Sequence, residues 1–128
     1  MDTGVLEKRF EEIYGTKVEH LYFAPGRVNL IGEHIDYNGG RVFPCALSFG
    51  TYLAVALRDD QKIAFASMNQ AFRLECDPTI FEHKPAEWVK YPLGVVKEFA
   101  DRGFDPWGFD ILYFGDIPNG AGLSSSAS

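Results

Sequence analysis

The order of patterned segments predicts an α+β fold: a mixed, mostly antiparallel sheet with helices on one face. Three observations carry that prediction. A helical stripe opens the chain, and a second precedes the last strand-like run. Between them lie four runs rich in branched and aromatic residues, divided by short polar turns. Strands and helices therefore come in groups rather than in strict alternation, which favours helices packed on an antiparallel sheet.

Each element has its own signal. Leu6, Phe10, Ile13 and Tyr14 fall on one helical face, with Asp2 or Thr3 as N-cap and Gly15 as the stop. The stretch "VEHLYFA" (18–24) reads as a strand with Val18, His20 and Tyr22 on one face. "LSFGTYLAVALRDD" (47–60) is a longer apolar run that ends in a charged turn. "KIAFAS" (62–67) and "AFRLECD" (71–77) are short strands of a meander, with "RDDQ" and "MNQ" as turns. Glu87 to Arg102 reads as a helix whose apolar face carries Trp88, Val89, Leu93, Val96, Phe99 and Ala100. Pro92 lies inside it and lacks an N–H, so a kink or a second helix start is expected there. "FDILYFG" (109–115) reads as a buried strand, followed by a loop opened by Pro118, Asn119 and Gly120. "SSSAS" then has the chemistry of a helix N-terminus.

The 128 residues suit one domain, which buries roughly two thirds of the surface that its unfolded chain exposes. With 46% apolar and 23% charged residues, the chain has core enough to exclude intrinsic disorder. A net charge of −6 and the lack of a Lys/Arg cluster argue against a nucleic-acid partner. A small anion remains open, because a few local donors hold it regardless of net charge. No run approaches 18 apolar residues and "MDTGVLEKRFEEIYG" has no apolar signal core, so no membrane span and a cytoplasmic location are expected. Cys45 and Cys76 show no metal spacing and are expected to be buried free thiols.

Two passages concentrate chemistry. In "NGAGLSSSAS", Gly120 and Gly122 let backbone amides turn inward, and Ser124, Ser125 and Ser126 follow at a helix start. That combination suits a phosphate, and a serine hydroxyl can face Mg²⁺. The nucleotide loop GxxxxGK[ST] is not matched, since no lysine is present, and a Gly-rich turn before an over-capped helix is the competing explanation. In "GRVNLIGEHIDYNGG", Gly26, Gly32, Gly39 and Gly40 loosen the backbone and Pro25 stiffens the approach. Glu33 and Asp36, three apart, share a side in one helical turn, and His34 adds a donor or acceptor. Such acceptors suit a ligand with several hydroxyls, such as a sugar. Arg27 offers a planar fork for phosphate oxygens or a carboxylate; a structural ion pair with Glu33 or Asp36 is the alternative. A glycosidase pair is poorly served by one short loop, and the spacing matches no zinc pattern.

Together the passages resemble a known pair. "APGRVNLIGEHIDYNGG" (24–40) is similar to the signature of galactokinases, and "PNGAGLSSSAS" (118–128) to the ATP-phosphate loop of the wider GHMP family of small-molecule kinases. The resemblance runs from Tyr22 at least to Ser128. It implies a GHMP N-terminal domain over 1–128, of the ribosomal S5 domain 2-like type and truncated, with the phosphate loop beginning at 117. It implies ATP-dependent phosphorylation of galactose at its anomeric hydroxyl, with ATP and Mg²⁺ as cofactors. By position, Arg27 matches the arginine that stabilises the transferring phosphoryl group, and Glu33, His34 and Asp36 match sugar-binding positions. Ile35 among them stands where the family often has threonine. Gly120, Ala121, Gly122, Leu123, Ser124, Ser125 and Ser126 match the nucleotide loop, with Ser126 at the Mg²⁺-binding serine. Trp88 and, more loosely, Ser67 fall near nucleotide contacts; helical core packing is the other explanation of Trp88. Family members are longer, and their catalytic aspartate is expected beyond Ser128, so the chain alone is expected to be inactive and prone to self-association. A non-catalytic galactose and ATP sensor, or an amino-sugar kinase, are the alternatives.

Overall fold

A computed structural model describes residues 2–32, 34, 36–71, 73–77 and 89–118, with the backbone alone for Asp36. Its elements are helix α1 (Thr3–Tyr14), strand β1 (His20–Ile31), a 3₁₀ turn (Asp36–Asn38), β2 (Phe43–Leu57), β3 (Ile63–Ser67), β4 (Arg73–Cys76), helix α2 (Lys90–Asp101) and β5 (Phe109–Gly115). The five strands form one mixed sheet in the order β1-β2-β5-β3-β4. β3 pairs antiparallel with β4, Phe65 facing Leu74, and parallel with β5, Phe65 facing Ile111. The expected α+β class is therefore observed. The chain divides into two compact units, one of Met1–Tyr22 with Leu53–Phe114, the other of Phe23–Tyr52 with Gly115–Ser128.

The first unit holds the core. α1 begins where the Gly4 N–H donates to Asp2 Oδ1 (2.9 Å) and stops at Gly15, whose φ of 72° lets its N–H return to the Glu11 carbonyl. Its apolar stripe buries Leu6 and Phe10 completely. Tyr14 at its end shares a hydroxyl proton between the carbonyls of Ile111 (2.8 Å) and Ala64 (3.2 Å), and burial raises its pKa well above the usual phenol value. On β3, Ile63, Ala64, Phe65 and Ala66 are all buried, so both faces of this interior strand are covered. Ile63 and Phe65 join Ile111, Cys76, Val89 and Leu93 in one cluster.

Around α2 two expectations change. Pro92 neither kinks the helix nor begins another; it occupies the third position of α2, where its missing N–H has no intrahelical acceptor to lose. The expected start at Glu87 and the side chain of Trp88 lie outside the described residues. Phe99 is not on the buried face: it is half exposed and meets the Phe104 ring edge-on at 5.6 Å. The charged "RDDQ" turn has a partner that the sequence hides. Arg58 donates to Asp110 (2.7 Å), Asp60 (2.8 Å) and Glu75 (3.2 Å), neutralising Asp110, the one buried charged residue among those described. The Arg58 hydrogen bond holds the Asp60 carboxyl down at about 2.

The second unit is built of strand. β1 does not end at Ala24 but continues through Gly26 to Ile31, and β2 begins at Phe43 rather than Leu47. The glycine-rich passage is thus half strand, with its freedom confined to Gly32 and Gly39 at φ of 95° and 75°. At Gly32 an added Cβ would meet the Arg41 carbonyl at 2.7 Å, so only glycine lets the chain reverse there. Gly50 is as constrained for a different reason. A Cβ would lie 2.1 Å from the Ala24 carbonyl and 2.7 Å from the Phe23 ring. The Gly50 N–H donates to Asp116 Oδ1 (2.7 Å) and its carbonyl accepts from the Asp116 N–H (3.1 Å). This pair fixes the chain at the start of the 117–128 passage. Cys45, expected buried, is exposed; Cys76 is buried, and both are free thiols. Burial pushes the Cys76 thiol up to about 11.

Candidate functional site

The described part of the candidate site lies in the second unit, on β1 and the turn that follows it. Arg27 and Asn29 sit two apart on β1 and so share a face of the strand. Both are half-buried. Among the described residues the Arg27 guanidinium has no hydrogen-bond or ion-pair partner. Asn29 Oδ1 is buried and likewise unpartnered among them. This strand face therefore carries a guanidinium and a carboxamide oxygen that have no partner among the described residues, donors and an acceptor of the kind that an anion and a hydroxyl can engage.

After Gly32 the chain turns through His34, which takes a left-handed φ of 60°. Histidine tolerates that conformation better than most residues, and the turn rewards it. His34 Nδ1 lies 3.1 Å from the Tyr37 hydroxyl, and Asn38 Nδ2 donates to the His34 carbonyl (3.0 Å). The imidazole is exposed, with one ring nitrogen occupied by Tyr37. Asp36 opens the 3₁₀ turn to Asn38. The structure thus joins His34, Tyr37 and Asn38 in one bonded turn; Glu33, Ile35 and the side chain of Asp36 lie outside the described residues.

Of the nucleotide-directed positions, only Ser67 is described. It ends β3 in the first unit, is half-buried, and accepts the Asn69 N–H on its hydroxyl (3.1 Å). It lines a cleft of about 630 Å³ with Arg9, Glu12, Asn69 and Arg73. Trp88 and residues 120–126, including Ser126, lie outside the described residues. Among those described, no cluster of His, Cys, Asp and Glu could hold a metal ion, and no helix is long and apolar enough to cross a membrane. Three residues of the site region escaped sequence reasoning: Asn29, Gly50 and Asp116. Asp116 stands directly before the "IPNGAG" loop, which was the available hint; nothing in the sequence marks the other two.

The fold is one found in small-molecule kinases. The structure matches Methanococcus jannaschii mevalonate kinase with a TM-score of 0.71 over 85% of this chain and 36% of that one, at 23% identity, a likeness of fold alone. The particular relationship is to galactokinases: residues 8–57 match the galactokinase galactose-binding signature. Galactokinases of Clostridium tetani and Bacillus subtilis are 52% and 55% identical over 100% and 93% of this chain, covering 33% and 32% of their own lengths. The crystal structure of Lactococcus lactis galactokinase complexed with galactose is 39% identical with a TM-score of 0.89, over 100% of this chain and 34% of that one. The galactokinase resemblance therefore holds along the entire chain, which spans about a third of the length of the curated relatives it matches.

Proposed function

We propose that the protein carrying this chain phosphorylates galactose at its anomeric hydroxyl with MgATP. The observation that carries this is the half-buried Arg27 guanidinium, unpartnered among the described residues, inside a stretch that matches a galactose-binding signature. A guanidinium with no carboxylate partner among the described residues suits charge that arrives with the ligand. In phosphoryl transfer that charge gathers on the transferring group, and catalysis rests on positioning and on cations placed to meet it.

In this reading Arg27 stabilises the transferring phosphoryl group. Glu33, His34 and Asp36, around Ile35, orient the sugar hydroxyls; His34 keeps its ring placed through Tyr37. Gly120 to Ser126 receive the nucleotide phosphates on backbone amides, and the Asp116–Gly50 pair fixes where that loop begins. Bound Mg²⁺ would neutralise phosphate charge, with the Ser126 hydroxyl as the residue of this chain that faces it. Ser67 and Trp88 would border the nucleotide. The signature then occupies 24–40 and the phosphate loop starts at 117, within a kinase N-terminal domain over 1–128. The remaining machinery, including a catalytic aspartate, belongs to the two thirds of the relatives' length that this chain does not span.

The test is ADP release by the full-length protein with MgATP and each of several sugars. Galactose-dependent ADP release with formation of galactose 1-phosphate is expected. Galactose binding without turnover would replace the enzyme by a sensor, and preference for an amino sugar would move the substrate.

A further inference from the structure

Among the described residues, Asn29 Oδ1 is the one buried side-chain polar atom without a hydrogen-bond partner. Elsewhere such groups are satisfied: Asp110 by Arg58, the Tyr14 hydroxyl by two carbonyls, Asp116 by the Gly50 amide. A buried acceptor left without a donor forfeits the hydrogen bonds it would make in water, and this one is closed to water. A group kept at that cost needs a donor in some state of the molecule.

The strand itself limits the choice. On β1 the nearest positions that share a face with Asn29 are Arg27 and Ile31, each about 6.6 Å away along the chain. Ile31 has no polar atom. Arg27 carries five N–H donors, has no side-chain partner among the described residues, and is long enough to fold along the strand to its neighbour. A phosphoryl group engages two or three of those donors and leaves others over.

We propose that Asn29 is a positioning residue for Arg27: its buried carboxamide oxygen accepts a hydrogen bond from the Arg27 guanidinium when the site is loaded. The anion draws the guanidinium into place, and the waiting oxygen fixes the rotation of the fork. The unmade bond of the free site thereby becomes orientation in the loaded one. This rests on the kinase reading above.

The test uses the full-length protein and a double-mutant cycle. Asn29→Leu keeps the shape and removes the orphaned acceptor. The thermal midpoint of the ligand-free protein is expected to stay level or rise, because an unsatisfied group has gone. Turnover of MgATP with galactose is expected to fall by roughly 10–50-fold in kcat, with KM for galactose changed less than about 3-fold. On an Arg27→Ala background the same substitution is expected to change kcat by less than about 2-fold. Asn29→Ala, smaller and unable to overpack, should repeat the pattern in kcat. A midpoint that falls in step with kcat, or equal losses with and without Arg27, would show a merely structural asparagine and overturn the proposal. Wild-type turnover separates the two failures. Its absence sinks the kinase reading and this one with it, whereas active wild type with an undiminished Asn29→Leu sinks the positioning role alone.

Discussion

The two units of the molecule differ in what they bury. In the unit of Met1–Tyr22 and Leu53–Phe114 lie all the described buried apolar side chains except Ile117. In the unit of Phe23–Tyr52 and Gly115–Ser128 the described strand residues Leu30, Ile31 and Phe43 are 62%, 71% and 63% exposed. The first unit is a core with helices; the second is strand surface with Arg27, Asn29 and the His34 turn upon it. A substitution in the first should therefore be read in stability, and one in the second in chemistry.

The largest effect expected is in the core. Phe65 is fully buried on β3, an interior strand of the sheet, so Phe65→Ala should cost about 3–5 kcal/mol in urea unfolding. A loss under 1 kcal/mol would break the comparison by showing that the core is not where the stability resides. Next comes Arg27→Ala, which should lower kcat of the full-length protein by about 10²–10³ and leave the urea midpoint nearly in place. A large fall in stability would make Arg27 structural and erase the contrast between the units. Gly50→Ala sharpens the boundary of the argument. It forces a Cβ against the Ala24 carbonyl in the strand-built unit, and overpacking of this kind costs about 1–3 kcal/mol. It should also disturb the Asp116 pair and with it nucleotide affinity, measured by titration. The smallest effect is electrostatic. Asp60 has its carboxyl lowered from 3.8 to about 2 in the folded chain, so its contribution is present above pH 4 and is lost as pH falls toward 2. Asp60→Asn should lower stability slightly above pH 4, flatten the profile between pH 4 and 2 and make no difference below that window; as the side chain is half exposed, the difference should shrink further in high salt.

The same division explains what could be read in advance. α1 was legible to its caps, because Asp2 and Gly15 act through local backbone geometry and Leu6 and Phe10 repeat at a helical period. β5 was legible at 109–115, since a short apolar alternating run is buried wherever it pairs. The glycine-rich passage was not. Its composition suggests loose chain, yet β1 runs on to Ile31 beside β2 in the sheet, because backbone pairing rather than composition decides where a strand ends. Phe99 had the right period for the core and is exposed, because period marks a face and packing decides how wide that face is.

By itself, the sequence determined the α+β class, the caps of α1 and the residue types gathered in the candidate site, because these depend on spacing along one chain. Only the tertiary structure decided that β3 is covered on both faces, that Arg58 neutralises Asp110, and that Asn29, two residues from Arg27, holds a buried oxygen without a partner among the described residues. Those facts depend on which distant segments exclude water from which atoms, and no local pattern records that.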